Sequence, residues 1–176
     1  YGSGISVAGA GFVLNNEMDD FSAKPGSPNG YGLVGGEANA IEPGKRPLSS
    51  MTPTIVFNPE GQPILATGSP GGSTIITIVL QMVLNIIDFD MNIAEATAAA
   101  RIHHQWLPDT VFYESGISQD TLTLLRSMGH QLNDKTGVLG ATESIQRADL
   151  GGDKKASVRY GAADYRRAGS GAAVQN

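Results

Sequence analysis

Thr54–Ile87 reads TIVFNPEGQPILATGSPGGSTIITIVLQMVLNII, and the order of its parts decides the fold. Two apolar, β-branched runs, Thr54-Ile55-Val56-Phe57 and Pro63-Ile64-Leu65-Ala66-Thr67, flank Asn58-Pro59-Glu60-Gly61, turn chemistry that joins a hairpin. The second run feeds straight into Gly68-Ser69-Pro70-Gly71-Gly72-Ser73. Beyond it, Thr74 to Ile87 is apolar almost all round, so its pattern admits strand or helix. Its length, with Ser73 as a cap candidate, favours a helix buried on several faces. A glycine run in that position is either a tight turn or an anion cradle. Glycine lets a ligand approach the main chain, and the first amides of a helix lack internal partners.

Outward from this segment the chain alternates short strands and helices. Phe12-Val13-Leu14 reads as a short strand closed by the polar cluster Asn15 to Asp20, after a Gly-rich start over residues 1–11. From Lys24 to Gly44 six glycines and three prolines with little periodicity predict a long surface loop, of the kind used as lids or binding loops. Asn92 with Glu95 three residues later heads a short alanine-rich helix to Ala100. A second helix is predicted from Ser118 to Met128, with Leu122, Leu125 and Met128 on one face and Gly129 just past its end. Val111-Phe112-Tyr113, Ser144-Ile145-Gln146 and Ala156 to Tyr160 read as strands, the last two joined through Gly151-Gly152-Asp153. The tail over 168–176 is small, polar and expected to fray. Strands joined by short turns argue for an α+β fold with an antiparallel sheet covered by helices, rather than repeated βαβ units.

Composition narrows the function classes. The chain of 176 residues fits one domain or one subunit of a larger assembly, and its 23 glycines are about double the usual share. A net charge of −5, with no Lys/Arg cluster longer than pairs such as Lys154-Lys155 and Arg166-Arg167, leaves no footprint for nucleic acid or an anionic membrane. The absence of cysteine excludes disulfides, thiolate metal sites and a cysteine nucleophile, and suits an exported bacterial protein as well as a cytosolic one. Ile75 to Ile87 falls short of a membrane span. The start, Tyr-Gly-Ser-Gly rather than Met, reads as a processed or truncated end.

Three clusters carry the residue types a small zwitterion needs. Glu17 and Asp20 could converge on an ammonium group, or be solvated surface. Ser49 and Ser50, after the rigid Pro47, offer two O–H donors to a carboxylate, or form a capped turn. Neither serine has a Gly-x-Ser-x-Gly setting. His103 and His104 are adjacent and cannot share a metal, so packing beside Trp106 is the preferred reading, with no metal and no cofactor expected. Tyr31, inside the Gly/Pro loop, is a lid residue or a surface aromatic.

Asn15-Asn16-Glu17-Met18-Asp19-Asp20-Phe21, Lys45-Arg46-Pro47-Leu48-Ser49-Ser50-Met51, Gly68-Ser69-Pro70-Gly71-Gly72-Ser73 and His103-His104-Gln105-Trp106, in this order over nearly the whole chain, resemble the small subunit of a bacterial gamma-glutamyltransferase. The resemblance implies an N-terminal-nucleophile hydrolase with a four-layer αββα sandwich, made from one precursor that cleaves itself into a large and a small subunit, the whole of 1–176 being a single-domain portion of the small one. It implies a nucleophilic N-terminal threonine a short way upstream of Tyr1, which this chain does not contain, with its own α-amine as base. Residue by residue it puts Glu17 and Asp20 at the α-ammonium of a γ-glutamyl donor, Ser49 and Ser50 at its α-carboxylate, and the Gly71 and Gly72 amides in an oxyanion hole. It assigns residues 24–36 to a lid with Tyr31 as gating aromatic, and that lid favours small donors such as glutathione or glutamine. An arginine for the carboxylate is expected from the large subunit, water or an amino-acid amine as acceptor, and a periplasmic or secreted location. Two alternatives stay open: a related cephalosporin or glutaryl acylase, against which the Glu17/Asp20 pair argues, and a non-catalytic amino-acid-binding homologue.

Overall fold

The structure is a computed structural model that describes residues 2–149 and 157–173. The chain divides into two compact units, Tyr1–Ser50 and Met51–Asn176.

The first unit is built from turns rather than long elements. Short 3₁₀ turns occupy Glu17–Asp20 and Glu37–Asn39, and isolated bridges pair Ser6 with Val13, Ser22 with Ala40, and Pro28 with Val34. The strand expected at Phe12-Val13-Leu14 is reduced to the single Ser6–Val13 bridge. All three side chains are exposed, so among the described residues the run adds nothing to the buried core. The Lys24–Gly44 segment is the expected loop, folded on itself by Gly26 N–H to the Gly35 carbonyl (2.8 Å) and Asn29 N–H to the Leu33 carbonyl (2.9 Å). Phe21 and Ser22 are its buried anchors. Gly35 is required beside them, because a Cβ there would sit 1.9 Å from the Ser22 hydroxyl oxygen.

In the second unit the expected hairpin is present as β1 (Thr54–Phe57) and β2 (Pro63–Gly68). Strands β6 (Glu143–Asp149) and β7 (Ser157–Ala162) extend it into an antiparallel sheet of order β1-β2-β6-β7, with Ala66 opposite both Ile55 and Ile145. The connection expected at Gly151-Gly152-Asp153 lies outside the described residues. Helix α1 (Ile75–Ile87) and the short α2 (Ile93–Ala98) pack on one face of this sheet. Leu65, Met82, Ile86, Ile93 and Ala96 form the core between them. Asn92 and Glu95 make the expected capping box, the Asn92 Oδ1 accepting from the Ala94 and Glu95 amides at 3.0 Å each. The other sheet face, bearing Ile55, Phe57 and Ile145, is exposed.

A smaller sheet joins β3 (Ile102–His103), β4 (Val111–Tyr113) and β5 (Leu132–Asn133), with α3 (Gln119–Ser127) between β4 and β5. The β4–β5 pair is parallel, so one βαβ crossover stands among strand pairs that are otherwise antiparallel within the described residues. Ser118 caps α3 and Gly129, at φ +95°, follows its end. Of its expected face Leu122 is buried and Leu125 half-buried, while Met128 is exposed.

Two expectations around α1 need correction. Ser73 does not cap the helix: a 3₁₀ turn over Gly72–Thr74 precedes it, and the Ser73 hydroxyl donates instead to Gln105 Oε1 (2.9 Å). Nor is the helix buried on several faces. Ile75, Ile78, Val79, Met82 and Ile86 are buried, at the 3–4-residue spacing of one stripe, while Ile76, Leu80 and Ile87 are exposed.

Candidate active site

Within the first unit the 3₁₀ turn sets Glu17 and Asp20 side by side, both half-buried. Burial, then the hydrogen bond with Glu17, then the charges of Glu17 and Asp19, push the Asp20 carboxyl above its ordinary 3.8. Crowded carboxylates of this kind gain from an arriving cation, which relieves their mutual repulsion. Ser49 is exposed and Ser50 buried. Asn39 links the two clusters: its Nδ2 donates to the Asp20 carbonyl (2.7 Å) and its Oδ1 accepts from the Leu48 amide (3.0 Å), next to the serines. Tyr31 is tied to the same acidic turn, its hydroxyl accepting from Asn16 Nδ2 at 2.8 Å. The acidic pair, the serine pair and the lid aromatic are thus joined by two asparagines that sequence reading passed over. Their advance signal was a side chain with both a donor and an acceptor, set for Asn16 in the acidic run and for Asn39 in a glycine-rich stretch.

Within the second unit the glycine run turns β2 into α1. Gly71 has φ +148° and Gly72 φ +56°, conformations that favour glycine, and a Cβ on Gly71 would lie 2.5 Å from the Thr74 hydroxyl oxygen. Among the described residues neither amide of this pair has a hydrogen-bond partner, so both are available to a ligand oxygen. His103 and His104 are both bonded within the chain. His103 is buried, with Nδ1 2.8 Å from the Thr77 hydroxyl and Nε2 3.0 Å from Gln105 Oε1, and His104 Nε2 lies 3.0 Å from Asp109 Oδ1. The expected packing beside Trp106 is absent: the indole is 72 % exposed, and Phe112 is the aromatic neighbour of His103. A cavity of about 520 Å³ bordered by Ile86, Met91, Ile93, Gln146 and Tyr160 includes none of the candidate residues.

A buried charge cluster escaped the sequence reading altogether. Arg166 grips Glu114 with two bonds (Nε to Oε1 2.7 Å, Nη2 to Oε2 2.6 Å), and Arg101 Nη2 meets Asp164 Oδ2 at 2.7 Å. All four side chains are 5 % exposed or less. Although burial alone would raise both carboxyls, the hydrogen bonds and arginines outweigh it: Asp164 is lowered to about 2 and Glu114 is lowered as well. The cluster fastens the loop before β6, since Leu139 N–H donates to Glu114 Oε1 (2.7 Å), Arg101 Nη1 donates to the Leu139 carbonyl (2.8 Å), and Thr142 N–H donates to Asp164 Oδ2 (2.7 Å).

The α+β arrangement, an antiparallel sheet backed on one face by two helices, is shared with solved structures of N-terminal-nucleophile hydrolases. The family model described as gamma-glutamyltranspeptidase matches residues 1–174, and the chain belongs to that family. It is 57 % identical over 166 residues to the glutathione hydrolase proenzyme of Escherichia coli (strain K12), covering 94 % of this chain and 27 % of that protein. The corresponding proenzyme of Pseudomonas aeruginosa is 49 % identical over 149 residues, covering 83 % of this chain and 27 % of that protein. A crystal structure of Helicobacter pylori gamma-glutamyltranspeptidase superimposes with a TM-score of 0.86 at 54 % identity, covering 94 % of this chain and 87 % of that one. The chain therefore spans about a quarter of the length of the curated relatives it matches.

Proposed function

We propose that this chain is the small-subunit part of an enzyme that transfers and hydrolyses γ-glutamyl groups, with glutathione and similar small γ-glutamyl compounds as donors. The observation that carries the reading is the Gly71-Gly72 turn, whose two open amides suit a developing oxyanion. A threonine upstream of Tyr1, its hydroxyl proton taken by its own α-amine, attacks the γ-carbonyl carbon. The carbonyl electrons move onto oxygen, held by the Gly71 and Gly72 amides. Collapse expels the amine, which takes up the proton, and leaves a γ-glutamyl ester. Water or an amino-acid amine then attacks that ester through a second oxyanion and frees the threonine. Glu17 and Asp20 bind the donor's α-ammonium and Ser49 and Ser50 its α-carboxylate, while residues 24–36 act as a lid gated by Tyr31. The raised Asp20 carboxyl supports the first assignment, because an ammonium restores the charge that burial and Glu17 disfavour.

The partner is the large subunit of the same precursor, for which the name proenzyme given to the relatives is the support. The exposed apolar residues Ile55, Phe57 and Ile145 of the sheet suit a second sheet packing there, which completes an αββα sandwich. Among the described residues no helix is long and apolar enough to cross a membrane, and a periplasmic or secreted enzyme is proposed on the family alone. The test is turnover of a γ-glutamyl anilide by the full precursor with Asp20→Ala, or with Ser49 and Ser50 both changed to alanine. Either change is expected to cost about 10–100-fold in kcat/KM, from a lost charge-assisted contact or two lost hydroxyl donors. Unchanged turnover would refute the pocket. Turnover of glutaryl in preference to γ-glutamyl donors would point instead to an acylase.

A further inference from the structure

We propose that the hydroxyls of Ser69 and Thr74 are positioning groups for the oxyanion hole, each aiming one of its two amides by holding the carbonyl on the other side of the same peptide plane. The inference rests on the γ-glutamyl reading above. It starts from a geometric fact: in a trans peptide the C=O and the N–H are fixed in one plane and point in opposite directions. The amide of Gly71 is therefore aimed by whatever holds the Pro70 carbonyl, and the amide of Gly72 by whatever holds the Gly71 carbonyl.

Both carbonyls are held. The Ser69 hydroxyl donates to the Pro70 carbonyl at 2.8 Å, and the Thr74 hydroxyl donates to the Gly71 carbonyl at 2.9 Å, beside the Thr74 amide on the same oxygen at 3.1 Å. Holding matters here because glycine at φ +148° between two peptide planes has no Cβ to restrict their rotation. A donor that swings away from the tetrahedral oxygen loses the advantage of being prearranged.

Ser69 is itself backed from behind. Its oxygen accepts the Ala141 amide at 3.1 Å, which leaves its proton for Pro70. The neighbouring Gly140, at φ +62°, presses its backbone so closely that a Cβ would lie 2.4 Å from the Ser69 hydroxyl oxygen and 2.7 Å from the Pro70 carbonyl oxygen. Gly140 and Ala141 lie between Leu139 and Thr142, the two residues fastened to Glu114, Arg101 and Asp164. The buried charges are thereby connected to the oxyanion peptides through a continuous set of short contacts. Their part is to keep the loop against Ser69 and the run in one arrangement.

Formation and breakdown of the ester both pass through an oxyanion. Weakening the hole therefore slows both steps together and lowers kcat while KM for the donor hardly moves. In the full precursor, with rates expressed per matured subunit pair counted by intact mass, Ser69→Ala is expected to lower kcat on a γ-glutamyl anilide about tenfold. That is a fraction of the 10²–10³ that follows outright loss of a donor. Thr74→Val, which keeps the shape and the backbone amide bond, is expected to lower kcat about fivefold, and Thr74→Ser to return it to within twofold of wild type. KM should stay within about twofold throughout. A kcat within twofold of wild type for Ser69→Ala and Thr74→Val, or for whichever of them matures, overturns the inference. So does a raised KM with unchanged kcat, or a Thr74→Ser variant as slow as Thr74→Val. A wild-type precursor that leaves the anilide intact overturns the functional reading, and this inference with it.

Discussion

Asp164→Asn is the substitution that most directly tests how the second unit is held together. The carboxylate is fully buried and accepts five bonds: Oδ2 from Arg101 Nη2 (2.7 Å), Thr142 N–H (2.7 Å) and the Thr142 hydroxyl (3.1 Å), and Oδ1 from Arg166 N–H (3.0 Å) and Nη1 (3.2 Å). Two arginines and two carboxylates balance in charge. Asparagine keeps one acceptor oxygen, turns its NH₂ toward groups that are themselves donors, and leaves a buried positive charge uncompensated. Removing one member of a buried ion pair typically costs about 3–5 kcal/mol. The pKa points the same way: a carboxyl lowered from 3.8 to about 2 contributes about 2 kcal/mol to the folded state at neutral pH, apart from any penalty for misplaced donors.

Urea unfolding of the purified protein at pH 7 should therefore find Asp164→Asn weaker by 3–5 kcal/mol. The control is Asp134→Asn, whose Asp134–Arg126 pair is exposed and should be worth less than about 1 kcal/mol. The pH dependence has a definite sign. Because the folded pKa lies below the unfolded one, the Asp164 contribution is complete above pH 3.8 and disappears as pH falls toward about 2. The wild type should lose this about 2 kcal/mol across that window, and Asp164→Asn should lack that component of the slope. An Asp164→Asn protein within 1 kcal/mol of wild type at pH 7, or with the same slope at acid pH, would refute the assignment.

Three further predictions concern the site. Asp20→Asn should raise KM for a γ-glutamyl donor by about 30–100-fold through loss of a charge-assisted contact, and leave the melting temperature unchanged or slightly higher because a disfavoured charge is removed. With its pKa raised above 3.8, wild-type Asp20 should lose donor affinity as pH falls through the acid range, and a KM–pH profile of the variant should be less steep there. Gly71→Ala, forced to φ +148° with its Cβ 2.5 Å from the Thr74 hydroxyl oxygen, should lower kcat by about 10²-fold, measured per matured enzyme. Asn39→Ala, which severs the Asp20-to-Leu48 bridge, should raise donor KM about tenfold with kcat kept, at the cost of two hydrogen bonds worth about 1 kcal/mol each; a change in kcat alone would contradict that role.

The parts of the fold that were legible in the sequence are those whose signal is local. The Asn58–Gly61 turn, the Asn92/Glu95 capping box and the Ser118 to Gly129 helix each carry start and stop chemistry within a dozen residues, and each is present. Ser73 misled because its hydroxyl had a distant competitor: Gln105 Oε1 takes it, and the 3₁₀ turn moves the helix start past it. Phe12-Val13-Leu14 misled for a different reason. An apolar run signals a surface to be covered, and composition does not say whether a sheet or another chain does the covering. The strands β3 and β5, two residues each, are too short for any period to register.

The site divides along the same line. Residue types offered Glu17, Asp20, Ser49, Ser50 and the glycines as candidates, and the family resemblance supplied their proposed roles at an ammonium, a carboxylate and an oxyanion. The groups that aim them were invisible, since Asn39, Ser69 and Thr74 read as ordinary turn residues until their partners are known. Arg101, Glu114, Asp164 and Arg166 were invisible for a stronger reason: they are spread over more than sixty residues, and charged side chains are expected outside. Their burial is costly in desolvation, and well-packed apolar side chains could fill such a space at least as stably. What apolar residues could not do is hold three backbone groups of one loop, at Leu139 and Thr142, by directional bonds of 2.7–2.8 Å. That loop is the one pressed on Ser69 and Pro70. The charges thus accept a desolvation cost in return for a fixed backbone position beside the glycine turn; under the proposed function, a fraction of an ångström there decides whether an amide meets the developing oxygen.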